Sequence, residues 1–107
     1  METAEMPADF GPNVELSGFK DIDEAAMGDL RRLVGTYLRR YGEICRKFQK
    51  LTLRMKKVHA QVHSEKYEIH ASVTDNGRLY TSTTTDKNLI GAADLALSKI
   101  ESEIGEK

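Results

Sequence analysis

The sequence predicts an α+β domain in the order β-α-β-β-β-α, a four-stranded sheet with two helices packed on one face. Three observations carry that prediction. Asn76-Gly77 stands between the alternating runs YEIHASVTD and RLYTSTTT, the signature of a two-residue hairpin. Apolar residues recur at spacings of three and four over residues 24–42 and again over 89–104. Residues 13–19 and 48–58 alternate with period two, as half-buried strands do.

Each element follows from local chemistry. Residues 1–12 hold both prolines and no periodicity, and read as a flexible leader before a single domain over 13–107. In NVELSGF, Val14 and Leu16 face one way and Glu15 and Ser17 the other. Asp21 or Asp23 caps the first helix, and Glu24 suits its positive end. Ala26, Leu30, Leu33, Val34, Tyr37, Tyr41 and Ile44 form its stripe, with Gly42 as the expected stop. Leu51, Leu53 and Met55 then share one side of a strand, opposite Thr52, Arg54 and Lys56. HAQVHSEK reads as a loop or a frayed strand end. The hairpin register pairs Val73 with Tyr80, Ala71 with Ser82 and Ile69 with Thr84. Asp86 or Asn88 caps the last helix, whose stripe is Leu89, Ala93, Ala96, Leu97, Ile100 and Ile104. The crossover through the first helix makes strand one parallel to strand two, and strands two to four form an antiparallel meander. The second sheet face is polar and threonine-rich, as a water-facing sheet requires.

Composition narrows the function. Charged residues make up 31% of the chain and hydrophobic ones 39%, the balance of a soluble globular domain. Apolar runs are too short to span a membrane, and the N-terminus has neither the basic nor the apolar region of a secretory signal. Cys45 stands alone, so no internal disulfide forms, and the cytoplasm is the expected compartment. The net charge is −1, but its distribution is uneven. Residues 24–66 carry eleven bases and four acids, while 1–23 hold six acids and one base. Such asymmetry points to a surface that meets a polyanion.

Catalytic chemistry is not indicated. His59 and His63 have the i,i+4 spacing of a helical metal pair, but they fall in a loop or strand end with no cysteine nearby. Cys45 reads as a small core residue. No glycine loop for phosphates, paired carboxylates or triad order is present, so no catalytic residue, metal, cofactor or small-molecule substrate is expected. The first helix is more informative. Opposite its apolar stripe lie Gly28, Arg32, Gly35 and Arg39, with Gly42 and Arg46 in line. An interior glycine costs a helix about 1 kcal/mol against alanine. Close approach of a nucleic-acid backbone is one reason to keep these glycines; neutral drift on a surface is the other. The candidate RNA-binding residues are Arg32, Arg39, Arg40, Arg46, Lys47, Lys50, Arg54, Lys56, Lys57 and Lys99.

VELSGF before a helix start, LRRYGEI at the first helix exit, and NGRLYTSTTTDKNLIGAADLALSKIE carry a resemblance. In the last stretch a glycine turn, a strand and an acidic cap lead into a helix with Ala92, Asp94, Leu95, Ala96, Lys99, Ile100 and Glu101. Over residues 13–104 this resembles the ribosome hibernation-promoting factor family, the cold-shock ribosome-associated inhibitors. The resemblance implies a non-enzymatic translation inhibitor. Members of that family occupy the messenger and transfer RNA channel of the small ribosomal subunit, and block initiation under stress or in stationary phase. The expected partner is therefore the small subunit and its RNA. One departure stands out: the family's last helix ends in lysines and arginines, whereas this one reads SKIESEIGEK. Two alternatives stay open. One is a general double-stranded-RNA-binding module, a fold that shares the last five elements. The other is a protein-interaction or oligomerisation domain, suggested by Leu95 on the side of the last helix away from its stripe.

Overall fold

The computed structural model describes residues 13–61 and 64–105. The elements are β1 (Val14–Ser17), α1 (Glu24–Ile44), β2 (Phe48–Gln61), β3 (Ser64–Asp75), β4 (Arg78–Asp86) and α2 (Leu89–Gly105). The sheet order is β1-β2-β3-β4, with β1 parallel to β2 and the other pairs antiparallel. The architecture is the expected β-α-β-β-β-α. The leader lies outside the described residues, as do His63 and the side chain of His59.

The core forms between the helices and one sheet face. Leu30, Val34, Tyr37 and Tyr41 from α1, and Ala93, Ala96, Leu97 and Ile100 from α2, are buried against Leu51, Leu53, Ile69, Val73 and Tyr80. Alternation decides which strand residues take part, because successive side chains point to opposite faces. A bulge between Phe48 and Lys50 keeps both Phe48 and Leu51 on the helix side despite their odd spacing. The hairpin register is the expected one, with Val73 opposite Tyr80 and Ile69 opposite Thr84. Asn76 and Gly77 both take positive φ, 52° and 86°, as a type I′ turn demands.

One expectation is corrected, and one open choice is decided. Gly42 does not stop α1, which runs on to Ile44. A glycine ends a helix by turning left-handed, and Gly18 and Gly77 are the only positive-φ glycines among the described residues. The helix ends instead at Cys45, whose extended backbone still donates its N–H to the Tyr41 carbonyl. Of the two readings of HAQVHSEK, a loop or a strand end, the described residues on either side of 62–63 take the second. β2 reaches Gln61 and β3 begins at Ser64, still paired as Val58 with Lys66 and His59 with Glu65. β1 flanks β2 only as far as Arg54, and β4 flanks β3 only from Tyr67, so this end is a two-stranded ribbon.

The caps resolve as well. Asp23 accepts from the Ala26 N–H at 2.8 Å and caps α1. Asn88 caps α2 through the Gly91 N–H at 2.7 Å, while Asp86 holds the Asn88 N–H at 2.9 Å.

Candidate nucleic-acid interface

The alternation that builds the core also sorts the cations. α1 covers the β1 side of one sheet face, and its outward surface carries Arg32 and Arg39, both exposed. Arg32 is ion-paired with Asp29 one turn earlier. Lys50, Arg54 and Lys56 project from the opposite face of the sheet, away from both helices. There Lys50 meets Glu15 at 3.2 Å. The candidate residues therefore do not form one continuous patch: the sheet lies between the helical arginines and the strand cations. Lys57 lies at a third place, beside Asp21, Asp23 and Lys87 near the helix N-termini. Lys99 is exposed on α2 among Leu95, Ser102 and Glu103.

The α1–α2 seam engages Arg40. Its guanidinium sits 5.0 Å over the Tyr37 ring and 3.4 Å from the Glu101 carboxylate. Tyr37 donates its hydroxyl to Asp94 Oδ1 at 2.5 Å, and Tyr41 donates to the Leu97 carbonyl at 2.7 Å. Burial, then the Asp94 hydrogen bond and charge, push the Tyr37 hydroxyl up to about 12. Burial raises the Tyr41 hydroxyl further still. These groups are neutral phenols that clamp the helices together. Arg40 is thus partly committed to holding α2, and the acidic character of α2 that stands out in the sequence has a structural use here.

The densest group of cations lies where α1 hands over to β2. Arg39 and Arg40 in the last two turns and Arg46 and Lys47 in the connection all emerge at one end of the domain. A buried carboxylate holds that connection in place. Asp75 is only 1% exposed, and it accepts from the Arg46 N–H at 3.3 Å and the Lys47 N–H at 2.8 Å. The Asn76 N–H reaches the Lys47 carbonyl, and Gln49 Oε1 takes the Gly77 N–H at 2.6 Å. The hairpin turn is therefore bonded to the connection that carries Arg46 and Lys47. Asp75 is the site residue that sequence reasoning missed. An aspartate ahead of Asn-Gly reads as turn chemistry, and nothing local says that it reaches back to residues 46 and 47.

The open sheet face is a shallow surface lined by Glu15, Arg54, His70, Thr81, Thr83 and the exposed Leu79. His70 lies 3.3 Å from Glu68 and 3.2 Å from the Thr83 hydroxyl. Among the described residues no group of three His, Cys, Asp or Glu side chains is placed to hold a metal. No helix among them is long and apolar enough to cross a membrane.

No family model matches this sequence, and comparison with curated proteins finds no match. Solved structures do match. The N-terminal domain of Protein Y from Thermus thermophilus superposes with a TM-score of 0.58 and 19% identity, over 87% of this chain and 92% of that one. A ribosomal subunit interface protein from Coxiella burnetii superposes with a TM-score of 0.60 and 17% identity, over 87% of this chain and 93% of that one. Both neighbours agree with the family that the sequence resembles. At such identities the likeness is one of architecture, and by it the chain has the fold of the ribosomal subunit interface proteins.

Proposed function

We propose that this protein is a non-enzymatic, ribosome-associated inhibitor of translation, of the hibernation type, that grips small-subunit RNA. The observation that carries the reading is the cluster at the α1–β2 connection, on a fold shared with subunit interface proteins. Arg39, Arg46 and Lys47 are exposed, and the buried Asp75 anchors the backbone that presents the last two. Guanidinium and ammonium groups on an anchored backbone suit phosphate contact, because they bind without first ordering a loop. Lys99 and Arg40 are secondary, since α2 surrounds them with carboxylates. Binding of this kind would place the protein in the cytoplasm with its partner.

Sedimentation of lysate through a sucrose gradient tests the proposal. The protein is expected to travel with the small subunit or the whole ribosome, and the Arg39→Ala/Arg46→Ala/Lys47→Ala variant to stay at the top. A wild-type protein that remains in the light fractions at low salt would sink the reading. Equal affinity for ribosomes and for naked duplex RNA would replace it with the general RNA-binding module.

A further inference from the structure

β4 is an edge strand of unusual openness. Among the described residues no strand pairs with it on its outer side. It runs nine residues, Arg78–Asp86, in unbroken register with β3. Proteins usually blunt such edges with short strands, bulges, prolines or charges in mid-strand. β1, at the other edge, is blunted by its length of four residues. β4 has none of these devices: from Leu79 to Thr85 it holds no charge, proline or glycine, and it is rich in threonine. Its charges sit only at its ends, Arg78 at one and Asp86 at the other.

That pattern is self-complementary. We propose that two copies of this chain pair β4 against β4, antiparallel about a two-fold axis at Ser82, to make one continuous eight-stranded sheet. In this register Arg78 stands opposite Asp86 of the second copy at both ends. The three intervening residues on each side of Ser82 match without like charges. Arg78, Ser82 and Asp86 share the helix-side face of the strand, so each charge meets its opposite on the same face. Asp86 spends Oδ1 on the Asn88 N–H, which leaves Oδ2 for the arginine.

A further observation falls on the same axis. Leu95 on α2 is 47% exposed. With Lys99 and Glu103 it follows a spacing of four, on the flank away from Asp94 and Glu101, which face α1. Glu103 borders Arg78 and Tyr80, which puts this flank on the β4 side. Ala92 lies beside Thr84, so Leu95 and Ala96 lie about level with Ser82 and beside the axis. The second copy covers Leu95 with its own Leu95.

Sedimentation equilibrium on the full chain, up to the millimolar range, reads the outcome. The wild type is expected to form a dimer and nothing larger, because the pairing consumes the same edge of both copies. Arg78→Asp and Asp86→Arg should each raise the dimer dissociation constant at least about tenfold, since each sets like charges opposite one another twice. An equimolar mixture of the two variants should associate again, as a heterodimer with every end pair restored. Circular dichroism and a cooperative thermal transition verify that each variant is folded. Should Asp86→Arg fail to fold, Leu95→Lys, an exposed change beside the axis, should weaken the dimer alone. A wild type that stays monomeric overturns the proposal, as do oligomers that grow beyond two. Self-association unaffected by Arg78→Asp and by Leu95→Lys also overturns it. None of these results bears on ribosome binding through the α1–β2 connection.

Discussion

Glycine shows how differently one residue type is used at two positions. At Gly18 the backbone has φ 85°, and an added Cβ would lie 2.1 Å from the Met55 carbonyl oxygen. β1 leaves the sheet there by pressing its backbone on β2, and no side chain fits. Gly18→Ala is expected to cost more than about 2 kcal/mol, through both strain and overlap, measured by urea unfolding. Gly42 is the converse: it is helical, and an added Cβ meets nothing within 4 Å. Gly42→Ala should stabilise the fold by up to about 1 kcal/mol. Ribosome affinity measured on the same variant tells whether that open space serves close approach of RNA: undiminished binding returns the glycine to drift. Asp75 is the third residue of note, because its carboxylate is buried and serves two backbone donors. Asp75→Ala would leave both unpaired and should destabilise by about 2–4 kcal/mol. A loss under 1 kcal/mol would mean that the connection is held by other contacts.

Helix against helix, the structure rests on phenols. Tyr37 and Tyr41 join α1 to α2 as hydrogen-bond donors, which requires that they stay protonated. The folded Tyr37 hydroxyl titrates near 12 against an ordinary value of 10.0, so its contribution is complete below pH 10. As pH rises from 10 towards 12, the unfolded chain ionises first and this stability is lost. Tyr41 adds to the same trend. Thermal unfolding from pH 8 to 11 should show a flat midpoint and then a fall above pH 10 that is reduced in the Tyr37→Phe variant. An identical fall in that variant would assign the effect to other groups. Arg40→Ala belongs to the same seam. The pair with Glu101 is half exposed, so its loss should cost at most about 1 kcal/mol.

Across the whole molecule, the sheet separates two sets of cations, and a rigid RNA surface can meet only one set at a time. The α1–β2 connection has the denser set, while Glu15 and Glu68 interrupt the one on the open sheet face. The triple change of Lys50, Arg54 and Lys56 to alanine should therefore weaken ribosome binding less than the Arg39, Arg46 and Lys47 triple. The reverse ranking would move the site to the open sheet. Binding should also respond to salt. With about five phosphates neutralised, the slope of log affinity against log salt is about −3.5 to −4.5. From 50 to 200 mM salt, affinity should then drop by about two to three powers of ten. A flat response would remove electrostatics from the account.

Local pattern was enough for the order of elements, the hairpin register and both buried stripes. Each rests on short-range rules: a period of two or 3.6, and a turn whose positive φ values only Asn-Gly meets easily. The departures arose where the cause is not local. Gly42 stays helical because nothing turns the chain left-handed at that point, and the choice between loop and strand at HAQVHSEK fell to pairing between β2 and β3, which no single stretch displays. The basic block suffered most. Ten cations within residues 31–57 look like one surface in a linear string. A helix projects its side chains all round and a strand to two sides, so packing α1 on the sheet sends Arg39 and Arg54 to opposite faces. Asp75 comes within reach of Arg46 and Lys47 only when β3 is laid beside β2, twenty-eight residues on in sequence and one hydrogen bond away in space.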